Sequence, residues 1–286
     1  MRRGWYHCIE LKDGSVTPGF RFRNVAATRK VFAAVDPAGK SVLEVGCADG
    51  LMSLLAFRRG ADWVMAWDRA ERWTIQRLAH EFDAHALRHA SDNDLRRLAD
   101  LPMVDVVICS GLLYHTFDPL AVLLRCRSRL GNGGAFVLET AAYGSPKQFL
   151  QWNGGRYYPD PGQANFWFPS LGLLDQWLIL ARLQPLGASW INDGKIIRLA
   201  VVCRAVERVE TDSAWQAAFQ QPRPDTEPGV CFAEFIDWQA CEQYEASVPI
   251  ASDGPIPSLW QWCQTHRALT VDEIERGITL RLGDME

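Results

Sequence analysis

The sequence predicts an α/β fold built on a mostly parallel sheet. Three observations predict it. Short apolar runs alternate with helical segments, a glycine turn joins the first run to a helix, and two runs close the pattern around an Asn-Asp-Gly turn. The first strand is Val42 to Val45, and Gly46 and Gly50 then turn the chain into a helix over Leu51 to Arg59. The second strand, Trp63 to Trp67, ends in Asp68, and a helix starts near Glu71. Ala86 to His89 forms a third strand and Val104 to Cys109 a fourth. Asp118 and Pro119 supply an N-cap and a first-turn proline for a helix that runs to about Leu130 and stops at Gly131 to Gly134. Ala135 to Glu139 is the fifth strand. Ser170 caps a helix to about Leu183, and Gly187 to Trp190 with Ile196 to Arg204 make a terminal antiparallel hairpin.

The spacing of the glycine turn selects the ligand class. A dinucleotide fingerprint wants G-x-G-x-x-G, but Ala48 and Leu51 stand at its second and third glycines. No Gly-Lys-Ser/Thr follows, which excludes a P-loop. The segment Glu44-Val45-Gly46-Cys47-Ala48-Asp49-Gly50 instead resembles motif I of the class I S-adenosylmethionine-dependent methyltransferases, E-x-G-x-x-x-G. Asp68 suits that ligand, because a carboxylate accepts from both ribose hydroxyls and repels a 2′-phosphate; its other reading is a cap on the helix near Glu71.

Further segments carry a more specific resemblance. Leu113-Tyr114-His115, Asp118-Pro119-Leu120, Leu138-Glu139-Thr140, Arg156-Tyr157, Asn165, Phe168-Pro169-Ser170-Leu171 and Trp177-Leu178 are similar to the tRNA wobble-uridine carboxymethyltransferase family, with Phe22-Arg23 where that family has Trp-Arg. The likeness runs from about Phe20 to Ala205. It implies a Rossmann-like seven-stranded methyltransferase sheet with six strands parallel, a lid insertion over about 144–168 and a C-terminal extension. Two departures point to ordinary S-adenosylmethionine: a short stretch ahead of Phe22, and a short turn at Asp193-Gly194 in place of a long insertion between the last two strands.

The resemblance implies a donor site at Glu44, Gly46, Cys47, Ala48, Gly50, Asp68, Arg69 and Ser110, with Asp92 at the adenine and Asp94 competing for that place. Arg23 is expected to reach the donor's carboxylate, with Arg29 as the alternative. In the segment Ser110 to Pro119, His115 with Tyr114 is the catalytic candidate, since an imidazole of ordinary pKa accepts a proton near neutral pH. The plainer reading is a histidine that bonds the loop backbone. Tyr143, Arg156, Tyr157 and Trp167 are the expected substrate contacts. The aromatics of this insertion suit a partly apolar or aromatic acceptor, could equally stack a nucleobase, or anchor the loop to the body.

Composition narrows the partners. The 286 residues, 48% of them hydrophobic, suffice for one α/β core and a smaller unit. No 18-residue apolar run is present, and Met1-Arg2-Arg3 leads into no hydrophobic stretch, so we expect a cytoplasmic protein without a membrane span. The eight cysteines are scattered singly, without metal spacing, and no metal is expected; Cys47, Cys109, Cys126 and Cys203 read as small core residues. From residue 1 to 30 the chain carries seven Lys/Arg against two Asp/Glu; from 207 to 286, five against fifteen. That acidic tail argues against a nucleic-acid substrate. We divide the chain into a cap segment (1–40), a methyltransferase domain (41–205) and an acidic, Trp-rich extension (206–286). The stretch from Val206 to Pro228 reads as a linker. Phe232 to Tyr244 and Ser258 to Ala268 have helical spacing, and Val271 to Leu282 forms a final helix. Trp238, Trp260 and Trp262 are expected against the main domain, in a homodimer contact, or as a wall of the substrate pocket. Trp5-Tyr6-His7 with Asp13-Gly14 and Thr17-Pro18-Gly19 suggests a hairpin over the donor site. The expected function is methyl transfer to a small biosynthetic molecule, with a tRNA-modifying enzyme and a non-catalytic S-adenosylmethionine-binding protein as alternatives.

Overall fold

The computed structural model describes residues 4–153, 165–194, 196–206 and 258–285. Its centre is a seven-stranded sheet formed by β2 (Ser41–Val45), β3 (Trp63–Asp68), β4 (Leu87–Ser91), β5 (Val104–Ser110), β6 (Leu130–Tyr143), β9 (Leu183–Asp193) and β10 (Ile196–Ala205). The spatial order is β4-β3-β2-β5-β6-β10-β9. The pairings among β4, β3, β2, β5 and β6 are parallel, and β10 lies antiparallel between β6 and β9. Chain order reverses between β2 and β5, so a crevice opens beyond their carboxyl ends, where open α/β sheets take ligands.

Both faces of the sheet are covered. Val42, Val64, Val106, Ile108 and Val137 face a core shared with α1 (Asn24–Phe32), α2 (Leu51–Arg58) and α3 (Trp73–Glu81). Leu43, Val45, Val107, Cys109 and Leu138 face α4 (Pro119–Ser128) and α5 (Leu171–Leu180). Alternate residues of one strand thus serve two cores, which is why the strands read as continuous apolar runs. Cys47, Cys109, Cys126 and Cys203 are fully buried, as expected of small apolar side chains.

Helix ends follow local chemistry. Asp118 accepts from Ala121 N at 3.0 Å and Ser170 from Leu173 N at 3.2 Å. Several boundaries shift from the sequence expectation. The helix after Asp68 starts at Trp73, α4 ends at Ser128 and α5 at Leu180. The run Gly131 to Gly134 does not lie outside the sheet. It forms a bulge inside β6, where Val104 pairs with Leu130 and Val106 with Ala135. A Cβ on Gly134 would sit 2.9 Å from the Asp105 carbonyl oxygen, so glycine serves close strand approach here. The terminal hairpin is also longer than expected, because its flanks continue the ladder to Leu183 and Ala205. Within the insertion, β7 (Leu150–Trp152) and β8 (Trp167–Pro169) pair antiparallel where a plain loop was expected.

The chain termini meet. β1 (Cys8–Ile9) pairs in parallel with β11 (Thr279–Leu280), while the N-terminal segment also folds back on itself, with an antiparallel bridge between Glu10 and Val16 and with Leu11 N donating to the Ser15 carbonyl, Thr17 N to that of Ile9 and Phe20 N to that of Tyr6. Helix α6 (Leu259–Thr265) rests on α5, with Leu259 N donating to Asp175 and Trp262 Nε1 to the Ala188 carbonyl at 3.3 Å. Trp260 and Trp262 therefore pack on the protein's own body. The last helix, α7 (Val271–Ile278), ends four residues earlier than expected and lays Ile274 and Ile278 against α1. Phe232 to Tyr244, Trp238 and nearly all of Val206 to Pro228 lie outside the described residues. No helix among the described residues is long and apolar enough to cross a membrane.

Candidate active site

The turn after β2 is built from bare backbone. Gly46 and Gly50 both have φ of +79°, and Ala48 has φ of +49°, a conformation that costs an L-residue about 1–2 kcal/mol. The amides of Gly46 and Cys47 both donate to the Trp67 carbonyl, tying the turn to the end of β3. Asp68, 5% exposed, accepts from Ala48 N at 2.9 Å through Oδ2, and Arg72 approaches Oδ1 at 3.3 Å. It does not cap α3, whose N-cap is Arg72.

Glu44 is buried below the turn. It accepts from Ser53 N at 2.8 Å and from the Ser53 hydroxyl, which satisfies the third amide of α2 from a neighbouring strand. Burial pushes its carboxyl up to about 7, against the pull of the Ser53 hydrogen bonds and of His7.

Asp49, fully buried in the same turn, reaches the N-terminal segment. Its Oδ2 accepts from Tyr6 N and His7 N, both at 2.8 Å, and its Oδ1 pairs with His7 Nδ1. Burial alone draws the His7 imidazole down, but the charge and hydrogen bond of Asp49 outweigh it and leave His7 raised above its ordinary value. Tyr6 stacks on Phe22 at 4.3 Å, and burial pushes its hydroxyl up to about 12.

A second polar group spans the ends of β5, β6 and β10. Arg198 donates to Glu139 through Nε and Nη2 and to the Tyr114 hydroxyl at 2.9 Å, and Asn24 Nδ2 donates to Glu139 at 3.1 Å. Burial raises the Tyr114 hydroxyl far above its ordinary value, so it stays protonated at neutral pH. Ser110 Oγ lies 3.1 Å from Thr28 Oγ1, and Gly111 follows with φ of +71°. His115 ends a short 3-10 turn (Leu113–His115), half-buried, its ring 4.4 Å from that of Tyr114. Phe166 N donates to the Tyr114 carbonyl at 2.7 Å, which fastens the insertion to this turn. Phe166 in turn stacks on Phe117 at 4.1 Å and on Trp152 at 5.7 Å, and Trp167 meets Trp152 edge-on.

The expected donor residues Glu44, Gly46, Cys47, Ala48, Gly50, Asp68 and Ser110 thus gather at the carboxyl ends of β2, β3 and β5. Asp92 follows β4 half-buried, accepts from Asp94 N and lies 3.5 Å from Arg97, whereas Asp94 caps the next turn and pairs with Arg96. Arg69 and Arg23 are exposed. Arg29 is engaged elsewhere, by the carbonyls of Gly277 and Thr279 and by Asp284, which excludes it from the donor's carboxylate. Tyr143 packs against Phe149 and Phe168. Arg156 and Tyr157 lie outside the described residues. Sequence reasoning missed Asp49 with His7, and Glu139 with Arg198 and Asn24. For Glu139 and Arg198 the available signal was a charged residue inside an otherwise apolar strand, since such a residue stays buried only when paired.

The crevice fits a nucleoside donor without phosphate. Two glycines leave the backbone open, an acid stands at the end of β3, and no lysine enters the turn. Comparison with known proteins agrees. A family model described as a methyltransferase domain matches residues 19–178. The chain belongs to this methyltransferase family. It carries a class I S-adenosylmethionine-dependent methyltransferase domain with distant homology to tRNA U34 carboxymethyltransferases. It is 30% identical to the tRNA U34 carboxymethyltransferase of Alteromonas mediterranea over 147 residues, covering 49% of this chain and 43% of that protein. It is 34% identical to the ubiquinone biosynthesis O-methyltransferase of Psychrobacter arcticus over 139 residues, 44% of this chain and 50% of that one. The chain therefore spans about half or less of these relatives. Among solved structures, the N-terminal domain of EvdMO1, determined with S-adenosylhomocysteine and D-fucose, superposes with a TM-score of 0.56 at 19% identity over 71% of this chain and 92% of that one. The Burkholderia thailandensis 1,6-didemethyltoxoflavin-N1-methyltransferase gives 0.54 at 17% identity over 65% and 80%. At these identities the likeness shows the fold.

Proposed function

We propose that this protein is an S-adenosylmethionine-dependent methyltransferase acting on a small, partly apolar or aromatic molecule. The observation that carries the proposal is the closeness of Leu112, which precedes the turn bearing Tyr114 and His115, to the donor turn: a Cβ on Gly46 would lie 3.5 Å from it. When bound, the donor supplies an electrophilic methyl group on a sulfonium. Gly46, Cys47, Ala48 and Gly50 would present backbone to it, Asp68 would take the ribose hydroxyls and Asp92 the adenine, with Ser110, Arg69 and Arg23 as further donor contacts.

The residues on the acceptor side orient the nucleophile and exclude water, which supplies most of the rate in a direct displacement. Tyr114, fixed by Arg198, is a rigid wall and donor. His115 accepts the proton that the acceptor loses. The aromatic rings of Phe117, Phe166 and Trp152, with Tyr143 and Trp167, hold a flat acceptor; Arg156 and Tyr157 are substrate contacts expected from the sequence alone.

The test is tritium transfer from labelled S-adenosylmethionine to a panel of phenols, heteroaromatic amines and hydroxy acids, with bulk tRNA as a separate arm. Label in a small molecule supports the proposal. Label in tRNA, with binding that weakens steeply with salt, moves the assignment to nucleic acid. Donor binding without turnover on any arm favours a binding protein.

A further inference from the structure

The donor-binding turn is tied to the N-terminal segment, which in turn pairs with the C-terminal strand. Asp49 sits between Gly46 and Gly50 in the donor-binding turn, and its carboxylate holds the amides of Tyr6 and His7 and the His7 ring. The next residues, Cys8 and Ile9, are hydrogen-bonded to Thr279 and Leu280. Glu10 N then donates to the Leu280 carbonyl, and Leu282 N donates back to the Glu10 carboxylate. Arg29 holds the carbonyls of Gly277 and Thr279 against α1, and a Cβ on Gly277 would stand 2.5 Å from that of Ala26, so α7 is seated directly on the domain.

We propose that Asp49 and His7 are positioning residues for the donor, latching Tyr6 and His7 over the crevice as its outer wall, and that α7 and β11 hold this wall in place. The inference rests on the methyltransferase reading above and gives a role to the C-terminal segment. A carboxylate fully buried in a ligand-binding turn is costly unless paired, and three donors from a segment more than 40 positions away are its partners. The wall reaches both halves of the site: Trp5 meets Trp73 edge-on at 5.5 Å beyond Asp68, while Tyr6 feels the charges of Arg198 and Glu139. The His7 imidazole faces Asp49 and Glu44 as charged neighbours and the Tyr6 ring, so the latch is strongest when the imidazole is protonated. Donor affinity should then decline as pH rises through the His7 range.

The test is calorimetric titration of the full chain with S-adenosylhomocysteine, at pH 6 to 8.5, for wild type, His7→Gln, Asp49→Asn and Gly277→Val. The expected result is at least tenfold weaker binding for His7→Gln and Asp49→Asn and loss of the pH dependence. Gly277→Val, which wedges α7 off α1 without touching the crevice, should weaken binding several-fold. Hydrogen exchange should show faster exchange of the Tyr6 and His7 amides in Asp49→Asn and Gly277→Val. Melting temperatures identify any variant that fails to fold, and His7→Gln, whose side chain is partly exposed where that of Asp49 is fully buried, then carries the decision. Unchanged affinity in folded His7→Gln and Gly277→Val overturns the proposal. If wild type binds no S-adenosylhomocysteine, the methyltransferase reading fails, and the exchange data alone decide whether the latch and its clamp exist.

Discussion

Arg198 lies against Glu139 in a two-pronged contact, Nε to Oε1 at 2.8 Å and Nη2 to Oε2 at 2.9 Å, with Glu139 fully buried and Arg198 9% exposed. The pair joins β10 to β6 at the level where β5 ends, and it fixes the Tyr114 hydroxyl. Removal of one partner leaves an uncompensated charge in the interior. We expect Arg198→Met and Glu139→Ala each to lose about 3–5 kcal/mol of stability, and the double variant to lose less than the sum. Urea unfolding of the four proteins measures both.

Replacement of Asp68 by Ala removes the proposed ribose ligand and the partner of the Ala48 amide. Hydrogen bonds to a charged group contribute about 1.5–3 kcal/mol, so S-adenosylhomocysteine affinity should fall at least tenfold. Calorimetry giving the wild-type affinity would remove Asp68 from the site.

Glu44 makes stability depend on pH. Burial raises its carboxyl from 4.5 to about 7 in the folded state, so the native protein holds a proton that the unfolded chain releases. Stability should therefore fall as pH rises through this window, by on the order of 3 kcal/mol. His7, also raised in the folded state by Asp49, acts in the same direction. Glu44→Gln keeps an acceptor for Ser53 and should flatten the decline between pH 5 and 7, which thermal melts across that range would reveal.

Gly50→Ala tests the turn itself. The new Cβ would face a φ of +79° and lie 3.2 Å from Ile75 Cγ1. Backbone strain alone costs about 1–2 kcal/mol, and a melting temperature lower by several degrees is the expected readout.

His115→Gln separates chemistry from binding. If His115 is the proton acceptor, turnover with the acceptor identified by label transfer should drop by about 10²–10⁴, with S-adenosylhomocysteine affinity unchanged. Equal turnover in the variant would assign His115 to loop structure.

Much of the site was legible because it is local. Gly46, Gly50 and Asp68 lie at a turn and a strand end that period and glycine spacing place unaided. Asp118 and Ser170 act as the helix caps their side chains predict. The glycine run at 131–134 misled because glycine marks both a stop and a bulge, and only β5 alongside decides between them. Arg23 was the expected carboxylate ligand and Arg29 its alternative. The packing of α7 took Arg29 out of contention, a contact some 250 positions away that no local pattern announces.

By itself, then, the sequence determined the alternation of strands and helices, the glycine turn and the acid at the end of the second sheet strand, since each depends on neighbours within a few residues. The tertiary structure alone decided which buried charges meet: Asp49 with His7, Glu139 with Arg198, and the N-terminal segment with the C-terminal strand. An interior charge is tolerated only with a partner, and that partner is supplied by the fold from wherever in the chain it brings one into reach.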